Sequence, residues 1–77
     1  MKQMACKDLG GACDVMIRGN TPEELGENCK QHALRLAREG DEDHRAAMRR
    51  MEEMSPGEFA TFWADFRRAF DAAEEIA

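Results

Sequence analysis

Three cysteines and a histidine are the residues of this chain best equipped to do chemistry: Cys6, Cys13, Cys29 and His32, separated by six, fifteen and two intervening residues. Structural zinc takes four-coordinate sites built from cysteine and histidine. The set therefore points to a tetrahedral structural zinc site, with iron and copper(I) as other metals that a thiolate-rich shell accepts. Two further readings compete with it. Cysteine packs as a small hydrophobe, and a histidine on an apolar face is often only a hydrogen-bonded core residue. Cys6 and Cys13 could also form a thiol redox pair, although Lys7 is the one nearby charge able to lower a thiol pKa. His44 follows Asp41, Glu42 and Asp43, and this cluster reads as a helix start in which the acids serve the cap and the helix dipole. The chain carries no glycine-rich phosphate loop, no His-Glu-x-x-His pattern and no Ser-His-Asp arrangement. A closed four-ligand metal set also leaves no position for substrate, so a non-catalytic protein is expected.

The elements that must position these residues follow from the apolar spacing. Residues 2 to 20 alternate with period two around Gly10-Gly11, which predicts a β-hairpin turning at the glycine pair. Pairing Cys6 with Cys13 and Met4 with Val15 puts these side chains and Ile17 on one face, with the two cysteine Cβ atoms about 5 Å apart. Thr21-Pro22-Glu23-Glu24 is a helix start, with a capping residue, proline in the first helical position and a glutamate to complete the capping box. Leu25, Cys29, Ala33 and Leu36 then recur at helical spacing, and His32 lies on the same stripe. Residues three apart on a helix sit about 5–6 Å from one another, so Cys29 and His32 meet the hairpin thiols if the helix packs on the hairpin.

Gly40 predicts the end of this helix, and Asp41 caps a second one whose Ala47, Met48, Met51 and Met54 form a narrow stripe, read chiefly as core filling. Ser55-Pro56-Gly57-Glu58 repeats the start signal for a third helix. Its Phe59, Phe62, Trp63, Phe66 and Phe70 place every aromatic residue of the chain on one helix face. The expected fold is α+β: an N-terminal β-hairpin packed on a helix (ββα), followed by two further α-helices. It forms a single small domain over residues 1–77, with a ββα metal-binding unit at 1–40 and a helical hairpin extension at 41–77.

Composition sets the limits. The chain has 77 residues, of which 43% are hydrophobic and 35% charged, with a net charge of −5. That negative field repels phosphate backbones, and the arginines are interleaved with acids, so neither nucleic acid nor a membrane surface is an expected partner. No apolar run approaches the roughly 20 residues of a membrane-spanning helix. The N-terminus lacks the apolar core of a secretory signal, and a cytoplasmic location is expected, in which the cysteines stay reduced. Small domains commonly need a metal or a partner for stability. The aromatic face at Phe59, Phe62, Trp63, Phe66 and Phe70 therefore supports an alternative, a metal-free interaction module that forms a homodimer or binds an unknown protein partner.

The stretches Ala5-Cys6-Lys7-Asp8-Leu9-Gly10, Cys13-Asp14, Arg18-Gly19-Asn20-Thr21, Glu23-Glu24 and Gln31-His32-Ala33 resemble DUF1059, a family of small, predicted metal-binding bacterial proteins with no assigned function. The resemblance spans residues 2 to 38. It implies a two-stranded element followed by a helix, with Cys6, Cys13 and His32 at the family's Cys, Cys and His positions. Family members usually carry a second histidine about five residues after the first, where this chain has Ala37. Cys29, one turn before His32, is the expected replacement, ahead of His44, which lies beyond the Gly40 break.

Overall fold

The computed structural model describes residues 1–76; Ala77, the last residue of the expected domain, lies outside them. Strand β1 (Lys2–Ala5) pairs antiparallel with β2 (Met16–Gly19), and three helices follow: α1 (Pro22–Arg38), α2 (Glu42–Glu52) and α3 (Pro56–Ala72). This is the expected α+β order, a hairpin, its helix and two more helices.

The hairpin differs from expectation in register and in its turn. Met4 pairs with Ile17 and Ala5 with Met16, two residues away from the register that set Cys6 against Cys13 and Met4 against Val15. A shift of two preserves the face of every side chain, because the strand period is two. The strands also stop sooner than the alternation suggests. Cys6–Leu9 winds into a single 3₁₀ turn, closed at Gly10 in the left-handed conformation (φ 87°). The chain therefore crosses over through a ten-residue loop instead of a tight turn at Gly10-Gly11. The Cys6 N–H donates to the Val15 carbonyl at 2.8 Å and the Lys7 N–H to that of Cys13 at 2.9 Å, which holds the loop closed. Val15, expected on the inner face, is 50% exposed because the ladder ends before it.

Each helix starts where its capping residues dictate. Thr21 accepts the Glu24 N–H, Asp41 that of His44 and Ser55 that of Glu58. At α3 the Glu58 carboxylate also reaches back to the Ser55 N–H, completing a capping box. Helix α1 ends in a Schellman arrangement around Gly40 (φ 98°): the Gly40 N–H donates to the Ala37 carbonyl and the Asp41 N–H to that of Leu36. The chain reverses there within three residues, and α2 folds back along α1.

The apolar core joins the two ends of the chain. Leu9, Ile17, Leu25, Cys6 and Cys29 from the N-terminal unit pack with Phe66 and Phe70 from α3. Lys2 fastens the same junction. Its ammonium donates to the carbonyls of Phe70 and Asp71 at the end of α3, at 2.9 and 3.0 Å, and lies 5.0 Å from the centre of the Phe70 ring. A cation is favoured at that negative end of the helix dipole. The Ile76 N–H donates to the Met1 carbonyl on the free edge of β1.

Leu25 is 0% exposed at the centre of this core, whereas Ser55 is an exposed cap. Leu25→Ala is expected to cost about 2–5 kcal/mol and Ser55→Ala about 1 kcal/mol. Urea unfolding of the two variants, followed by far-UV circular dichroism, checks the ranking.

Candidate metal centre

Cys6, Cys13, His32 and His44 converge, and their ligand atoms all lie within 4.8 Å of one another. Four separate pieces of the chain supply them. Cys6 opens the 3₁₀ turn, Cys13 sits in the loop that returns to β2, His32 is on α1 and His44 in the first turn of α2. Cys6 and His44 are buried, while Cys13 and His32 are half-buried.

Two sulfur–nitrogen distances of the cluster suit a tetrahedral ion. The Cys13 Sγ lies 3.2 Å from His32 Nε2, and the Cys6 Sγ lies 3.8 Å from His44 Nε2. With metal–sulfur bonds of about 2.3 Å and metal–nitrogen bonds of about 2.0–2.1 Å, the sulfur–nitrogen edge of a tetrahedron is about 3.5 Å. Both observed edges fall within about 0.4 Å of that value. The two imidazoles meet edge to face, with ring centres 5.3 Å apart, so each presents one nitrogen to the centre without stacking on the other.

The loop is shaped around the Cys6 sulfur. The backbone N–H groups of Ala12 and Cys13 lie near enough to that sulfur to lower its pKa, and that of Val15 acts likewise on Cys13. Such N–H···S contacts favour a thiolate, the form that binds metal. A Cβ on Gly11 would overlap the Cys6 sulfur, so the backbone can approach it only at a glycine. Burial raises the Cys6 thiol pKa, but the contact with His44 and the two backbone N–H groups outweigh it and hold the thiol below its ordinary value. Cys13 lies on the other side of its ordinary value, raised by burial and by the proximity of Cys6. Burial lowers the His32 pKa, and neighbouring His44 and Arg35 add to that. For His44 burial acts in the same direction, yet the contacts with Cys6 and Asp41 prevail and raise its pKa.

Three of the four residues expected in the set, Cys6, Cys13 and His32, are in the cluster; Cys29 is not. Its place is taken by His44. Cys29 is 6% exposed within the apolar core, and burial, followed by the nearby Cys6, pushes its thiol up to about 12. That value marks a packed, protonated thiol. Cys29 is on the inward face of α1, as the stripe predicts, but one turn from His32 along the helix, in the core cluster with Leu25 and Ile17 and beside Cys6. His44 ranks behind Cys29 in the expected set because it lies beyond the Gly40 break. The reversal at Gly40 is what returns it: with only residues 39–41 between the helices, the first turn of α2 lies against the C-terminal half of α1. A three-residue connection between two helices is the signal that pointed to His44.

The aromatic face divides along α3. Phe66 and Phe70 are buried in the core, Phe62 and Trp63 are half-buried, and Phe59 is 43% exposed. The outer residues, with Ala47, Met48 and Met51 of α2, line an apolar groove of about 540 Å³.

The molecule is thus a small α+β protein with a Cys₂His₂ cluster able to hold a metal ion. Its residues 1–36 match the DUF1059 family, described as a protein of unknown function, and the match includes Cys6, Cys13 and His32. Comparison with curated proteins and with solved structures found no match. No helix of the described residues is long and apolar enough to cross a membrane.

Gly11→Ala should displace the Cys6 sulfur or push the loop away from it. In the metal-free protein Cys6, 0% exposed, should react slowly with a thiol reagent, and faster in the Gly11→Ala variant. Mass spectrometry of the modified peptides reads the difference.

Proposed function

We infer that this chain is a non-catalytic protein stabilised by one structural zinc ion, held by Cys6, Cys13, His32 and His44. The observation that carries the reading is the mutual approach of four ligand atoms, all within 4.8 Å, from four pieces of chain that are not neighbours in sequence. Two thiolates and two imidazoles fill a tetrahedral shell, and a filled shell leaves no coordination position for a reacting group. Zinc suits this mixed sulfur and nitrogen set, and the backbone N–H groups aimed at Cys6 provide the outer support that thiolate ligands require.

Magnitudes favour a structural role. Domains are stable by about 0.05–0.15 kcal/mol per residue, or about 4–12 kcal/mol for a chain of this length. Structural zinc contributes about 10–16 kcal/mol in zinc-finger peptides. An ion in this site would match or exceed the whole net stability of a domain of this length.

Purified without chelator, the protein is expected to carry one equivalent of zinc, read by elemental analysis and native mass spectrometry, and to melt at a lower temperature in EDTA. His44→Ala should weaken binding by more than about 100-fold, beyond the loss usual for an outer-shell partner, while Cys29→Ala should retain one equivalent. Cys13 and His44 have raised pKa values and must lose their protons to bind, so zinc binding should release protons and weaken as the pH falls. Metal-free protein with an unchanged melting curve in EDTA would refute the reading.

A second reading is favoured by the aromatic face, where Phe59 stands 43% exposed beside the apolar groove. Here the chain is an interaction module whose α3 packs on a protein partner or on a second copy of itself. Sedimentation velocity is expected to show a dimer that Phe59→Glu converts to a monomer; a wild-type monomer at high concentration counts against self-association.

A further inference from the structure

We propose that Asp41 is the positioning residue of the metal centre: its carboxylate fixes the imidazole of His44 through Nδ1 while capping α2 through its other oxygen. The inference rests on the metal reading above. Asp41 Oδ1 accepts the backbone N–H of His44 at 3.1 Å, and Oδ2 lies 3.3 Å from His44 Nδ1. Nδ1 is buried without an aligned hydrogen-bond partner, in a residue that is 2% exposed. A buried donor of this kind demands an acceptor, and the Asp41 carboxylate stands within reach.

The other groups facing His44 are the Cys6 sulfur, 3.8 Å from Nε2, and the His32 ring. Both lie on the metal side. A neutral imidazole carries one proton, and placing it on Nδ1 toward Asp41 leaves the Nε2 lone pair directed at the cluster. Metal-binding histidines commonly donate their second ring nitrogen to a carboxylate, which fixes tautomer and orientation together.

The three helix starts of this chain supply an independent argument. Each has a side-chain cap bonded to the N–H three residues on: Thr21 with Glu24, Asp41 with His44 and Ser55 with Glu58. In α1 and α3 that third residue is a glutamate whose carboxylate reaches back to the backbone at the helix start. In α2 alone it is histidine, and the direction of the side-chain contact is inverted: the acid is the cap and the ring is what it holds. The substitution turns a capping box into a ligand mount.

Asp41→Ser separates the two tasks, because serine caps a helix about as well as aspartate but has no second oxygen to reach Nδ1. The metal-free variant is expected to keep the wild-type helix content and melting temperature, while its zinc dissociation constant rises about 10–100-fold. Asp41→Asn, which caps and retains a side-chain oxygen, should recover part of the affinity. Long-range ¹H–¹⁵N correlation spectra, recorded above the imidazole titration, should show His44 protonated on Nδ1 in the metal-free wild type and shifted toward Nε2 in Asp41→Ser. Wild-type zinc affinity in Asp41→Ser would overturn the role of Asp41 and leave the metal site standing. Wild type that binds no zinc would refute the metal reading instead; the tautomer spectra then decide whether Asp41 holds the ring, and an Nε2 proton in the wild type overturns that too.

Discussion

A sulfur atom removed from water is the constraint on which the site depends. Cys6 is 0% exposed, and an ionised or strongly polar group in that position is costly unless polar groups surround it. The surroundings are drawn from distant parts of the chain. Ala12 and Cys13 turn their N–H groups toward it, which requires the loop to pass so close that residue 11 must be glycine. His44 approaches it from α2, which requires α1 to stop at Gly40 and α2 to fold back. Loop closure, helix termination and helix pairing are thus different answers to one local demand.

The same residue belongs to a second environment. Cys6 packs with Leu9, Ile17, Leu25 and Cys29 on its apolar side, and that cluster is completed by Phe66 and Phe70. The N-terminal unit contains no aromatic side chain, and two short strands with one helix bury little by themselves. Helix α3 supplies the missing bulk. Lys2 holds its C-terminal end against β1, so the last helix is tied to the first strand at the point where its rings enter the core. The site and the core lie back to back, with Cys6 as their common wall.

What was legible in the sequence was local. Thr21, Asp41 and Ser55 announced their helices because capping is decided within four residues, whereas the aromatic spacing of α3 marked one face without showing that Phe66 and Phe70 enter the core and Phe59 stays exposed. The inward face of α1 was legible for the same reason. The strand register was not, since a shift of two leaves the alternation unchanged and only the loop, with its 3₁₀ turn, selects between the two pairings. Cys29 and His44 exchanged roles for a related reason. Helical periodicity says which way a residue faces but not what it meets along the axis, and Cys29 faces inward one turn away from the cluster. His44 joins the cluster through the reversal at Gly40, a tertiary effect that no periodicity within α2 records.

The family match ends at residue 36, and it takes in three members of the cluster. The fourth, His44, lies beyond it, in the first turn of a helix whose cap touches its ring. This gives the C-terminal half a role besides covering apolar surface. Residues 1–36 supply two of the thiols and one imidazole of the cluster, while their third thiol, Cys29, is packed in the core. His44 from α2 brings the cluster to four ligand-capable residues, so the packing of α2 on α1 is a condition of the complete cluster. A helix pairing set by a glycine turn therefore completes the cluster that the matched segment begins.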